Sequence, residues 1–254
     1  MKEIWENRAL IRTFAISDLI IRYRGSVLGF FWTILEPLLM LTILYLVFTN
    51  VFRSEIENYA LYLLVGIVMW NFFVRSTNFA MSSFISKAGI ITKTYFPREI
   101  LPISSCITAF LISVFEFIVL FLFFVVFQFF PPATIIILPG LLGLEFLLAL
   151  GFSFGLSVLL VRYRDVQYIW GVITYAGFFT VPIFYSIEII PEKFKQIYLL
   201  NPMAQIIDMS HNVVLYNVIP DIWNITYTIF ITGVSLAVGY LIFRSLNAKV
   251  IEEL

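Results

Sequence analysis

Cysteine, histidine and charge are all scarce in this sequence. Its 254 residues include one cysteine, Cys106, and one histidine, His211, and only 13% of them are charged. A single cysteine cannot close a disulfide within the chain, and one residue of each kind cannot form a His/Cys metal cluster. Soluble domains carry about a quarter charged residues. We therefore interpret the chain as an integral membrane protein.

The sequence also lacks the phosphate-binding motif G-x-x-x-x-G-K-[ST]. That motif cradles nucleotide phosphates in P-loop ATPases, so we expect no ATP site and no cofactor in this chain. Residues 1–24 mix charged and apolar residues throughout, which does not fit a cleavable secretory signal. Catalysis is not expected, and energy for transport would have to come from an ion gradient or from another subunit.

Long apolar runs fill the rest of the chain. Hydrophobic residues make up 61% of it and aromatic residues 18%, and the mean hydropathy is +0.98. At 1.5 Å per residue, about 20 residues of helix cross the hydrocarbon core. We predict an all-α fold with six membrane spans, at residues 28–52, 59–78, 100–129, 135–161, 168–185 and 222–243. Residues 1–254 form one domain, with a membrane part at 28–246.

Two segments are predicted to be helical without crossing the membrane. In residues 1–24, apolar residues recur at spacings of three and four but alternate with Arg8, Arg12, Asp18 and Arg22. Such a helix either lies in the membrane interface with its basic face toward anionic headgroups or packs on other protein. Residues 186–220 contain no apolar run long enough to cross, and we predict two short re-entrant helices there, in the outer leaflet.

The distribution of basic residues predicts the orientation. With six spans, thirteen of the sixteen Lys and Arg residues fall on one side, and only Arg53, Lys193 and Lys195 fall on the other. Lys and Arg are retained in cytoplasmic loops. The prediction is a multi-pass membrane protein with both termini in the cytoplasm and Arg75 reaching from the second span to the interface.

Three carboxylates are predicted to lie within spans: Glu36, Glu116 and Glu145. An ion-driven carrier usually needs paired membrane acids, and each of these stands alone on its helix. Three interpretations stay open: a hydrogen bond to a neighbouring helix, a position near a membrane interface, or a place along a hydrated path.

Residues 82–102 form a polar, basic stretch between the second and third spans. The charges and prolines exclude burial in lipid, and the basic character places the stretch in the cytoplasm. A short polar segment of this kind could be moved by a soluble partner protein that binds it. The alternative is an ordinary solvated loop.

Four motifs, in order, together resemble the permease subunits of bacterial type 2 ABC exporters that move lipid-linked polysaccharides such as O-antigen. They are DLIIRYRGSVLGFFW at 18–32 followed by Pro37, KTYFPREILP at 93–102, RYRDV at 162–166 and NPM at 201–203. The resemblance extends over nearly the whole chain. It implies a homodimer with two copies of a separate ATPase that binds ATP and Mg²⁺, a lipid-linked glycan substrate and no nucleic acid.

The resemblance also assigns roles to residues. The ATPase would grip a coupling segment that includes Lys87, Lys93, Tyr95, Phe96, Pro97, Arg98 and Glu99. Aromatic residues of spans one and five would border the glycan path: Phe31, Tyr45, Phe48, Tyr168, Tyr175 and Phe179. Aromatic rings also cover lipid-facing surfaces, so that interpretation stays open for these six.

Arg22 and Arg24 could bind the lipid diphosphate, because a planar guanidinium matches phosphate oxygens. The alternative is that both residues bind lipid headgroups of the membrane. Rival functions are a teichoic-acid or capsule permease, an ion-driven carrier and an intramembrane transferase.

Overall fold

The computed structural model describes residues 6–52 and 56–247, and every regular element within them is helical. Arg53 lies outside the described residues, as do the two chain ends that carry Lys2 and Lys249. The side of the membrane predicted for each of these three residues stays a prediction. The α-helices are α1 (Arg8–Tyr23), α2 (Trp32–Asn50), α3 (Tyr59–Met81), α4 (Ser83–Ser86), α5 (Ala88–Ile91), α6 (Ile100–Val126), α7 (Leu138–Arg162), α8 (Val166–Phe179), α9 (Glu192–Leu199), α10 (Pro202–Leu215) and α11 (Ile222–Asn247). Short 3₁₀ turns at Gly29–Phe31, Ala133–Ile137 and Ile187–Ile189 precede α2, α7 and α9.

Five helical segments in the described part of the chain are long and apolar enough to cross a membrane. They are Gly29–Asn50, Tyr59–Met81, Ile100–Val126, Ala133–Arg162 and Ile222–Asn247. These coincide with the predicted spans one to four and six. The all-helical prediction is therefore confirmed, and five of the predicted spans match long apolar helices.

The prediction of a fifth membrane-spanning helix over 168–185 is wrong for its last third, residues 180–185. Helix α8 ends at Phe179, and its 14 residues measure only about 21 Å at 1.5 Å per residue. Pro182 has no N–H to donate and disfavours helix at Val181, so residues 180–185 leave the helix. The sequence contained this signal, but the apolar run concealed it.

The irregular segment 180–185 packs against α3, and its residues 181–183 are buried. A Cβ atom on Gly66 would lie 2.9 Å from the Cα of Ile183, so the glycine permits the close approach. The Tyr59 hydroxyl donates to the Phe184 carbonyl at 2.8 Å, and the Tyr62 hydroxyl to that of Tyr185 at 2.8 Å. Non-helical backbone in lipid needs such shelter, because unpaired carbonyls are costly there.

Helix α3 lies at the centre of the bundle. It contacts α2, α6, α7 and α10, and seventeen of its residues are buried. A helix that is apolar on all sides is expected in such a position. The other long helices are arranged around it, with α2 and α8 on one flank and α11 on the far side of α7.

Helices α7 and α11 form the tightest pair, through glycines. A Cβ atom on Gly151 would lie 2.6 Å from the Ser235 Oγ, and one on Gly239 would meet the Gly151 carbonyl. The close contact is thus made at Gly151 and Gly239, where small residues let two membrane helices approach, whereas a Cβ atom on Gly155 would meet nothing nearer than 3.9 Å.

Residues 151–155 read GFSFG and so match the G-x-S-x-G pattern of hydrolases. They lie inside α7, not at the strained turn that exposes a nucleophile. Ser153 is fully buried and accepts a hydrogen bond from the Cys106 thiol at 3.2 Å. The match carries no catalytic geometry.

Residues 186–220 contain the two predicted short helices, α9 and α10. Helix α10 begins where the Asn201 side chain accepts a hydrogen bond from the Met203 backbone N–H at 3.0 Å, with Pro202 in its first turn. Eleven residues of α10 are buried, and the helix packs on α3 and α7.

Helix α1 packs on the protein along one face and is exposed along the other. Ile11, Phe14 and Ala15 are buried, and the helix packs against α6. Arg12 and Ile20 are exposed on the remaining surface. Packing on protein, one of the two alternatives for this segment, is therefore observed for one face.

Candidate functional site

A groove of about 880 Å³ runs between α2, α3 and α8. Its lining is mostly apolar and aromatic, with a few polar groups. The lining residues are Trp32, Glu36, Leu39, Met40, Ile43, Trp70, Asn71, Val74, Gly171, Thr174, Tyr175, Phe178 and Phe179. Ligand-binding grooves commonly combine apolar walls with a few polar groups in this way.

Helical periodicity explains why these side chains share one surface. On α2, Trp32, Glu36 and Ile43 follow at spacings of four and seven. On α8, Gly171, Thr174 and Phe178 follow at three and four. Residues at such spacings lie on one helix face. Each helix therefore presents a single stripe to the groove.

Helix α8 is attached to the bundle at two points. The Trp170 indole N–H donates to the Thr77 hydroxyl at 3.0 Å in a buried position. A Cβ atom on Gly177 would lie 2.6 Å from the edge of the Trp70 ring, so the helix rests directly on α3 there. Elsewhere on α8, large apolar side chains such as Ile169 and Val172 are exposed.

An ion pair lies beside the groove. Arg75 of α3 donates to both carboxylate oxygens of Glu116 in α6, at 3.0 and 2.7 Å. The Arg75 side chain is 12% exposed and that of Glu116 is not exposed at all. The prediction that Arg75 reaches to the interface is wrong, because Glu116 offers a bidentate partner within the bundle.

The other two membrane carboxylates lie in contrasting places. Glu36 faces the groove, close enough to Arg75 to interact electrostatically. Glu145 is completely buried in α7, and neither carboxyl oxygen has a hydrogen-bond partner among the described residues. Glu36 is thus the one acidic side chain among the described residues that line the groove.

Only some of the six aromatic residues predicted to border a glycan path line the groove in the structure. Tyr175 and Phe179 line the groove, and Phe31 is exposed next to it, directly before Trp32. Tyr168 is exposed at the start of α8, outside the lining. Tyr45 and Phe48 lie farther along α2 in an aromatic cluster, where the Phe48 ring is 4.7 Å from that of Phe184.

Sequence reasoning missed Trp32, Trp70 and Asn71 as groove residues. Trp32 could have been found, because it shares a helical stripe with Glu36. Trp70 and Asn71 depend on the rotation of the central helix within the bundle, which no local pattern reveals.

Three residues of the predicted coupling segment attach it to other helices. The Lys87 ammonium is 2.5 Å from the Asp18 carboxylate of α1. The Phe96 ring lies edge-on to that of Phe14, with centroids 5.7 Å apart, and is buried. Arg98 donates to the backbone carbonyl of Asn247, at the end of α11, at 2.5 Å.

The remaining residues of the segment face outward. Tyr95 is 99% exposed, and Lys93 is exposed beside it. Pro97 and Glu99 are partly exposed. The segment thus has an inner side that is bonded to α1 and α11 and an outer side available to a partner.

Arg22 and Arg24 also differ from each other. The Arg22 guanidinium stacks on the Phe79 ring at 3.3 Å, which occupies one face of its plane. Arg24 is exposed directly after α1, in the segment that leads into α2.

Comparison with known proteins adds independent findings. Residues 9–215 match the family model described as ABC-2 type transporter. The chain is 34% identical over 247 residues to the O-antigen export system permease protein RfbA of Klebsiella pneumoniae, covering 93% of this chain and 92% of that protein. It is 25% identical to the RfbA protein of Myxococcus xanthus, over 100% and 98% of the two chains. It is 20% identical to the polysialic acid transport protein KpsM of Escherichia coli, over 86% of each.

Proposed function

Because this chain belongs to the ABC-2 type transporter family, we propose that it forms the conducting part of an exporter that moves lipid-linked O-antigen polysaccharide from cytoplasm to periplasm. The observation that carries this is the 34% identity to an O-antigen export permease over more than nine-tenths of both chains. ATP and Mg²⁺ would be bound by a separate ABC ATPase, two copies of which would serve a homodimer of this permease.

The second candidate is export of a capsular polysaccharide, favoured by the similarity to a polysialic acid transport protein. The identity of 20% is lower, so O-antigen is the first choice. Teichoic-acid export is the third possibility in this class. An ion-driven carrier fits less well, since Glu116 is already paired with Arg75.

The proposed topology has six crossings with both termini in the cytoplasm. Helix α8 supplies about 21 Å of the crossing, and the bent segment 180–185 that follows it would supply the remainder of a core of about 30 Å. The basic coupling segment and RYRDV then lie inside, while α9 and α10 lie as re-entrant helices on the outer side. The exposed face of α1 would rest in the cytoplasmic interface.

The groove between α2 and α8 is the proposed glycan path. Aromatic rings can stack on the apolar faces of sugars, and the single acid Glu36 offers little charge to trap a moving polymer. Exposed apolar side chains on α8 suit contact with a second permease copy, so that two grooves would face one conduit. Arg24, near the start of α2, would meet the lipid diphosphate, and Arg22 would do so less readily because its guanidinium stacks on Phe79.

The coupling segment would transmit the push of the ATPase. A partner that presses on Tyr95 and Lys93 presses on a segment bonded through Lys87 and Phe96 to α1 and through Arg98 to α11. Those three contacts make the segment and both helices move together. The exposed side chains would contact the ATPase, whereas the buried ones would hold the segment in place.

The proposal is tested by Tyr95→Ala combined with Lys93→Glu. We expect normal insertion, at least a tenfold loss of surface glycan, and loss of the ATPase from the complex purified in mild detergent, because the gripping surface is removed. Phe130→Ala is the control, since it removes a ring that is 90% exposed at the opposite end of the bundle. Normal export by the double variant, or retention of the ATPase, would contradict the assignment. Phe96→Ala is less informative, because it also removes a buried contact with Phe14.

A further inference from the structure

A second cavity, of about 820 Å³, lies at the end of the bundle opposite the coupling segment. We call it the outer polar pocket. It is formed by the residues next to the end of α2, the start of α3, the 3₁₀ turn at Ile187–Ile189 and helix α10. Its lining residues are Phe52, Ile56, Tyr62, Ser186, Ile187, Glu188, Ile189, Asp208, His211, Asn212, Tyr216 and Val218. None of them belongs to the groove.

The outer polar pocket contains two carboxylates, Asp208 and Glu188, together with side chains that can both donate and accept, Ser186, Asn212 and Tyr216. Asp208 accepts from the Asn212 side-chain amide at 3.2 Å, and it interacts electrostatically with Glu188. Burial raises the pKa of the Asp208 carboxyl to about 6. The described residues that line the pocket include no Lys or Arg, so a phosphate held among them would meet the two carboxylates.

His211 adds an acceptor that has no partner. Its side chain is 1% exposed, and its Nε2 lies 2.9 Å from the Tyr62 carbonyl. A carbonyl only accepts, so we assign the proton to Nε2. Burial lowers the pKa of His211 to about 3, which leaves the imidazole neutral with a lone pair on Nδ1. That atom has no hydrogen-bond partner among the described residues, and buried polar atoms seldom lack one.

Aromatic surface accompanies these acceptors. The His211 ring is stacked on Tyr62 with centroids 3.7 Å apart, and Tyr216 and Phe52 also line the cavity. A ligand that suits the cavity therefore donates several hydrogen bonds, carries no negative charge and has an apolar face. The described residues include no group of three His, Cys, Asp or Glu side chains able to hold a metal ion. A neutral sugar ring has all three properties.

We propose that the outer polar pocket binds a neutral sugar unit of the exported glycan where the chain leaves the membrane. Sugar hydroxyls would donate to Asp208, Glu188 and the Nδ1 of His211, and the ring would lie against tyrosine. The inference rests on the proposed function for the identity of the glycan, but not for the existence of the site.

The test uses the purified permease–ATPase complex and lipid-free O-polysaccharide released by mild acid from the same cells. Saturation-transfer NMR should detect binding to the unmodified protein. Asp208→Leu should weaken the apparent affinity at least fivefold, and Glu188→Gln, at an exposed position where folding is not at risk, severalfold. Glu192→Gln changes an exposed acid of α9 outside the pocket and should bind like the unmodified protein. Inorganic phosphate should not compete.

Absence of binding to the unmodified complex, or equal binding by Asp208→Leu and Glu188→Gln, would overturn the site. Export of glycan measured in the same cells separates the two proposals. If a strain exports glycan although its purified complex does not bind polysaccharide, the pocket is not a binding site and the proposed function stands. If export continues in cells that lack this chain, the proposed function itself is wrong.

Discussion

Replacing Glu116 by leucine is expected to lower the free energy of unfolding by about 3–5 kcal/mol, because it leaves the Arg75 guanidinium buried without a counter-ion. Arg75 bonds to both carboxylate oxygens of Glu116, and its side chain is only 12% exposed. In lipid there is no water to take over the lost bonds. The measurement is thermal or denaturant unfolding of the purified permease in detergent.

The matched control is the double variant Arg75→Met with Glu116→Leu. Replacing a complete buried ion pair by apolar residues of similar volume is often neutral or stabilising. The double variant should therefore regain most of the stability that Glu116→Leu loses. If the single variant is as stable as the unmodified protein, or the double variant is less stable than the single one, the ion pair does not have the role given to it here.

Gly239→Ala is expected to cost about 1–3 kcal/mol or more, because it overpacks the closest helix contact of the fold. The added methyl group would collide with the Gly151 carbonyl. Backbone cannot move aside as a flexible side chain can, so α7 and α11 would have to separate. The amount of monodisperse protein and its unfolding temperature in detergent report the effect.

Gly233→Ala on the same helix is the control, since a Cβ atom there would meet nothing within 4 Å. Alanine also forms helix more readily than glycine, so this variant should be as stable as the unmodified protein or slightly more so. Equal stability of the two alanine variants would contradict the close contact between α7 and α11.

The long helices could be predicted from the sequence because hydrophobic length is a local property. Residues 59–78 and 222–243, for instance, lie within α3 and α11. The partner of Arg75 could not be predicted in this way. Glu116 is 41 residues away along the chain, and only the packing of α3 against α6 brings the two together.

The coupling segment likewise has features that the sequence predicts and features that depend on tertiary structure. Its charge and prolines identify a polar stretch between two spans, but they do not reveal which side chains face the protein. Phe96 is buried because α1 packs alongside α6 and presents Phe14 to it. Tyr95, one residue earlier, is 99% exposed. Adjacent aromatic residues in one motif therefore have different roles, and only tertiary structure separates them.

The most direct test of the proposed path is photo-cross-linking of glycan to the groove in living cells. A benzophenone side chain would replace Tyr175, which lines the groove, or Val238, an exposed residue of α11 away from it. With export shown to continue in both strains, irradiation should attach polysaccharide to the permease at position 175 and not at 238. Labelling that is absent at 175, or as strong at 238, would contradict a glycan path between α2 and α8.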